Sequence, residues 1–246
     1  MSIEPYSLYQ QVVLEKLQLA FQQEKEMDQA AEWIANTLEN QGWIYTSGTG
    51  HSHMLAEEIF YRAGGFARVI PILDPDLMLH KDASGSTEVE RREGYAGELL
   101  KEYKMTENDV FIISSNSGRN AVSVEMAQIA QNSGAKVIVL TNLSHSKSVN
   151  SRHSSGLKLY QVCDVFLDNF GEVGDASVSL TGLQTKMGAT STVIGAALLH
   201  SIMIQAASIL IAKGIQPEIF NSSNSDEGEA NNNSLIVKYK SQVRIL

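Results

Sequence analysis

The period of the apolar positions changes along the chain. Over residues 6–39 they recur at Val13, Leu14, Leu17 and Phe21, then at Ala30, Ala31, Ile34 and Leu38. Steps of three and four residues mark amphipathic helix. Gly42 ends that stretch, and its length suggests a break near residues 24–28. Short runs rich in β-branched and aromatic residues follow at 43–46, 67–70, 110–113, 136–140 and 162–167. They alternate with helical stretches over 51–63, 121–132 and 190–213. Such runs interleaved with helices indicate a parallel sheet buried on both faces. The expected fold is α/β: a three-layer αβα domain with a doubly wound, five-stranded parallel sheet of the flavodoxin-like type. It would occupy residues 42–246, after an N-terminal helical extension over 1–41. Two stretches stand outside the alternation: charged residues 74–94 and polar, acidic residues 221–233.

Length and composition narrow the reading. At 246 residues and 43% hydrophobic, the chain has material for one well-filled core. Nineteen basic against 28 acidic residues leave a net charge of −9. That argues against nucleic acid, which needs a basic face. The first residues lack the basic and apolar regions of a signal peptide. The apolar stretch 193–212 carries His200, Ser201, Gln205 and Ser208 and has no aromatic or basic anchors, so it reads as a buried helix and not a membrane span. A single cysteine, Cys163, permits no disulfide within the chain and no multi-cysteine zinc site. The expectation is a cytoplasmic protein with no nucleic-acid or membrane partner, no assigned metal and no cofactor.

Two loops carry candidate chemistry. Ser47-Gly48-Thr49-Gly50-His51-Ser52 follows the first strand and opens a helix. Its glycines permit close backbone approach, and a helix start offers N–H donors to an anion. Ile113-Ser114-Ser115-Asn116-Ser117-Gly118-Arg119-Asn120 stands in the same position after the third strand, with more hydroxyl and amide groups than a helix cap requires. In doubly wound sheets, ligands bind where such loops open at the carboxyl ends of the strands.

The pairing of Gly-Thr-Gly-His-Ser with Ser-Asn-Ser-Gly-Arg-Asn resembles the sugar isomerase (SIS) domain, a phosphosugar-binding family. The flanking details look most like a branch near the phosphoheptose isomerases. The resemblance implies that Ser115, Asn116, Ser117 and Asn120 grip a phosphate, joined by Ser47, Gly48, Thr49, Gly50, His51 and Ser52 of the first loop. It also implies that Ser191 and Thr192, opening the last helix, line the same site. Phosphoheptose isomerases carry a His and a Glu on the first helix and a Gln and a His on the last. Here those positions fall on Glu58, Arg62, Thr192 and His200, so only the last His is kept. Thr181-Gly182-Leu183-Gln184-Thr185-Lys186-Met187 is similar to a motif of the family's etherase.

The expected ligand is a small sugar phosphate, and the expected reaction aldose–ketose isomerisation by proton transfer. That chemistry needs a carboxylate or imidazole. Glu58 and His200 are the first candidates, with Glu90 and Glu93 next. His200 interrupts an apolar helix, and a buried imidazole needs a partner. Two other readings stay open: a non-catalytic phosphosugar sensor, and a lyase of the etherase type. The resemblance further implies a homo-oligomer, dimer or tetramer, with sites near subunit boundaries.

Overall fold

A computed structural model describes residues 4–224 and 226–246. Two helices open the chain, α1 (Pro5–Ala20) and α2 (Glu24–Glu39). They part at Phe21–Gln23, just before the expected break.

Strands β1 (Ile44–Gly48), β2 (Val69–Ile72), β3 (Val110–Ser114), β4 (Lys136–Thr141) and β5 (Val165–Asp168) form one sheet in the order β2-β1-β3-β4-β5. Every pairing is parallel. Every residue of β1, β2 and β3 is buried, as expected for strands covered on both faces. The order reverses between β1 and β3, and a crevice opens at the carboxyl ends of such strands.

One face of the sheet is covered by α2, the short α3 (His53–Glu58) and the long α8 (Ser191–Ala212), with Ile34, Leu55, Ile112, Ile138, Leu198 and Ile202 at its centre. The other face carries α5 (Tyr95–Leu100), α6 (Ala121–Asn132) and α9 (Asp226–Tyr239), packed around Phe111, Val124, Met126 and Val139. Fully burying side chains such as Leu198 and Phe111 stabilises the fold by roughly 1.5–3 kcal/mol each.

Helix α8 is long and apolar enough to cross a membrane. Its Ile194, Leu198, Ile202, Ala206 and Leu210 are buried in the core shared with α2. A second flank carries Val193, Ile204 and Ile211 and stays exposed.

The two unassigned stretches contain structure. Residues 74–94 include α4 (Ala83–Val89), started by Asp82, whose carboxylate accepts from the Gly85 N–H. Residues 221–233 include the start of α9. The sequence pattern also missed α7 (Leu143–Ser148) and the hairpin of β6 (Ala176–Val178) and β7 (Met187–Ala189). The helix expected over 51–63 is shorter: a 3-10 turn, Gly50–Ser52, leads into α3, which stops at Glu58.

Candidate functional site

The crevice is built from loop ends. β1 delivers Gly48, where a Cβ would lie 2.5 Å from the Ser52 carbonyl oxygen. Only glycine allows the chain to fold back so tightly. β3 delivers Ser114 and Ser115, and Gly118 then turns the chain with φ +56° towards α6.

A small pocket lies on the α3 and α8 side of this turn. Ser52, Ser114, Ser115, Asn116, Ser191 and Thr192 line it, with Asn169 and the apolar Leu55 and Leu140. The spacing of the sequence thus brings five candidates into one place: Ser52, Ser115, Asn116, Ser191 and Thr192. Their roles inside the pocket differ. Asn116 is fixed, because its Oδ1 accepts from Asn169 Nδ2 at 2.9 Å, which leaves its own Nδ2 as a donor. Ser115 Oγ accepts from the Gly118 N–H at 3.2 Å and so shapes the turn. The hydroxyls of Ser52 and Thr192 have no protein partner among the described residues, and neither does that of Ser117, which follows Asn116 on the loop but is outside the pocket lining.

Ser191 is already engaged. Asp175 accepts from the N–H groups of Thr190 and Ser191 at 3.0 and 2.9 Å, and from Ser191 Oγ at 2.6 Å. A carboxylate therefore sits on the N-terminal end of α8, the place where an anion is favoured. Asp175 reaches it from a left-handed backbone, φ +71°. A ligand anion in the pocket is left with hydroxyl and amide donors.

Several candidates fall outside the pocket lining. Ser47 is buried and donates to the Ile72 carbonyl, so it holds β1 to β2. Thr49 donates to Glu90 at 2.6 Å, tying the first loop to the end of α4. Gly50 makes its turn with φ +56°, and His51 is exposed. Glu93 accepts from the Ser154 N–H at 2.6 Å, which holds its carboxyl below the usual range. Asn120 precedes α6 but does not cap it. Its Oδ1 accepts from the Arg152 guanidinium at 2.9 Å.

Glu58 and His200, 142 residues apart, meet. Glu58 Oε1 lies 2.8 Å from His200 Nε2, and its other oxygen accepts from Arg62 at 3.0 Å. Both side chains are partly exposed. α3 and α8 both begin at the pocket. At 1.5 Å per residue, the pair lies about 9 Å from Ser52 and about 12 Å from Thr192 along the helices.

One group among the described residues has metal-ligand spacing. Glu93, Glu125 and His153 bring their ligand atoms within 4.8 Å of one another. His153 Nε2 is 3.7 Å from Glu125 Oε1, so these two side chains already face each other. Burial pushes the Cys163 thiol up to about 12, which makes it a poor nucleophile. The segment 181–189, with the etherase-like motif, is exposed throughout.

Sequence reasoning assigned no role to Asn169 or Arg152, and Arg152 stands in a stretch with no periodicity.

Comparison with known proteins agrees with this geometry. Residues 8–142 match the SIS domain. A UPF0309 protein of Halalkalibacterium halodurans is 44% identical over 217 residues, 88% of this chain and 90% of that protein. Among solved structures, a phosphoheptose isomerase from Francisella tularensis superposes with a TM-score of 0.54 at 16% identity, covering 81% of this chain and 95% of that one. The Vibrio vulnificus NanR protein complexed with ManNAc-6P gives 0.51 at 15% identity, covering 96% and 69%. These structures share the fold. The match over more than half of the sequence, on a 2-1-3-4-5 sheet with both serine loops at its switch point, means that the chain belongs to the SIS-domain family.

Proposed function

We propose that the chain binds a phosphorylated sugar at this crevice and interconverts its aldose and ketose forms. The observation that carries the binding half is the convergence of unpartnered donors, the hydroxyls of Ser52 and Thr192 and the amide of Asn116, on one pocket, with the free hydroxyl of Ser117 on the same loop. Family membership, and the ManNAc-6P bound by the Vibrio vulnificus NanR protein that shares the fold, support the same ligand class.

The Glu58–His200 pair supports the reaction. A carboxylate on Nε2 selects the tautomer that leaves Nδ1 as the free basic nitrogen. His200 then takes the proton from one sugar carbon and returns it to the next, a second proton passes from the neighbouring hydroxyl to the carbonyl oxygen, and Glu58 orients the imidazole. Its distance from the pocket of its own chain fits a site at the boundary of two copies. The exposed flank of α8 supports that assembly, because Val193 lies seven residues before His200 and Ile204 and Ile211 four and eleven after it, steps that keep them on one side of the helix. The protein is a cytoplasmic homo-oligomer in this reading.

The test is thermal unfolding with a panel of sugar 6-phosphates and 1-phosphates, followed by an isomerisation assay on each hit. A ligand at about 100 times its dissociation constant should stabilise by roughly 2.7 kcal/mol. A panel with no shift would overturn the binding reading. Binding without turnover would leave the sensor reading in its place.

A further inference from the structure

Three arginines gather on the far flank of the phosphate loop, at the start of α6. The Arg152 backbone N–H donates to the Arg119 carbonyl at 2.8 Å, which sets the two residues side by side. The Arg152 guanidinium reaches Asn120 Oδ1. Arg91 follows Glu90, whose backbone carbonyl accepts from the Val122 N–H in the first turn of α6 at 3.1 Å.

These side chains have no close ion-pair partner; Glu90 acts on Arg152 from farther off, while Glu93 and Glu125 are turned to the neighbouring Ser154 and His153. Arg62 and Arg244 each pair with a glutamate. Arg68 packs over the rings of Trp43 and Tyr239. No carboxylate lies within 4.0 Å of Arg91, Arg119 or Arg152 among the described residues, and the buried Nε of Arg119 has no hydrogen-bond partner. Burial, then Arg119 and Arg91, lower the Arg152 pKa, and Glu90 alone pulls it the other way.

Gathering like charges without a counter-ion in direct contact is unfavourable unless something anionic belongs there. Asn120 points the same way. Its oxygen would ordinarily accept from the backbone of α6, and it is turned to Arg152 instead. The Val122 N–H already donates to the Glu90 carbonyl, so the side chain of Asn120 leaves only the rest of the first turn of this twelve-residue helix to another acceptor.

None of these arginines lines the pocket of Ser52, Ser115, Asn116 and Thr192. A phosphate seated there is met by neutral donors. We propose that Arg119 and Arg152, backed by Arg91, hold a second anionic group, so that the ligand is a phosphosugar with a further phosphate or carboxylate. This rests on the phosphosugar reading and extends it to a narrower ligand class. Guanidinium suits both anions, because its fork meets two oxygens at once.

Calorimetry at fixed ionic strength tests it, with fructose 6-phosphate, fructose 1,6-bisphosphate and 6-phosphogluconate as probes. The wild type should bind at least one doubly anionic probe about tenfold or more tighter than fructose 6-phosphate, the scale of one charge-assisted hydrogen bond. Which probe gains tells phosphate from carboxylate. Arg119→Gln with Arg152→Gln keeps amide donors near Asn120 and should bring that ratio close to one. Arg119→Lys keeps the charge without the fork and should give an intermediate ratio. A wild-type ratio near one, or a ratio that survives the double change in a folded variant, would overturn the second anion site and leave the phosphosugar reading standing. Failure of all three probes to bind the wild type would count against both.

Discussion

The serine loop and the Glu58–His200 pair sit in the same layer of helices and strands but differ in how finished they are. The loop is held from several directions. Asn169 fixes Asn116, Gly118 fixes Ser115, and the Ser115 N–H donates to the Leu140 carbonyl at 2.9 Å. The pair is one contact on a partly exposed flank, among apolar side chains that face solvent. On the proposed reading, a single chain completes the first and not the second. Binding and chemistry should therefore separate experimentally, the first surviving in an isolated chain and the second needing the flank of α8 covered.

The largest effect should come from the loop. Ser115→Ala with Ser117→Ala removes two hydroxyls from the crevice. Hydrogen bonds to a charged group contribute about 1.5–3 kcal/mol each, so sugar-phosphate affinity should fall by about 100-fold or more. Calorimetry reads it. The fold should hold, since the backbone bond from Ser115 to Leu140 is kept. Unchanged affinity would move the anion elsewhere and dissolve the contrast drawn above.

The second effect should spare binding. Ile204→Lys with Ile211→Lys places two charges on the exposed flank of α8. If a second copy covers that flank, size-exclusion chromatography with light scattering should show monomers, and kcat should fall by about 100-fold, the lower scale of general acid–base catalysis. The sugar-phosphate dissociation constant should change little. His200→Ala should give the same loss of turnover without dissociation. If the lysine variant stays fully active as a monomer, the pair works within one chain.

The same contrast marks what the sequence made legible. The strands could be read because β1, β2 and β3 are continuous apolar runs, and the loops could be read because they sit at fixed places after β1 and β3. Glu58 and His200 were separately recognisable, one by position and one by interrupting an apolar helix. Their contact was not, because it depends on how α3 crosses α8. Asp175 and Arg152 show the limit more sharply. Asp175 acts through a left-handed backbone at the start of a helix sixteen residues away. Arg152 acts through a backbone contact with Arg119. Neither leaves a period or a spacing in the chain. Hairpin β6–β7 was missed for a related reason. Its strands are three residues each, and β7, Met187–Ala189, is exposed throughout, so it carries no run of buried apolar positions.

The smallest effect probes the support behind the finished half. His145 Nδ1 accepts from the Gly174 N–H at 2.6 Å, and Gly174 precedes Asp175. An imidazole can accept there only without a proton on Nδ1. Burial lowers the His145 pKa from 6.5, and Arg119 adds to that, while Asp175 opposes it. The unfolded chain thus takes up this proton at a higher pH than the folded one. The stability contributed by neutral His145 is fully present above the unfolded value. It is lost as pH falls through 6.5 towards the depressed folded value. Thermal unfolding between pH 7.5 and 5.5 should show a modest fall in midpoint, and His145→Gln, which cannot titrate, should flatten that part of the profile. The hydrogen bonds of Asn116 do not involve this imidazole. Sugar-phosphate affinity, measured at the same two pH values and corrected for the protonation of the ligand itself, should therefore change less than the midpoint does. An affinity that tracked His145 would mean that the loop carrying Asp175 is part of the binding site and not only its support.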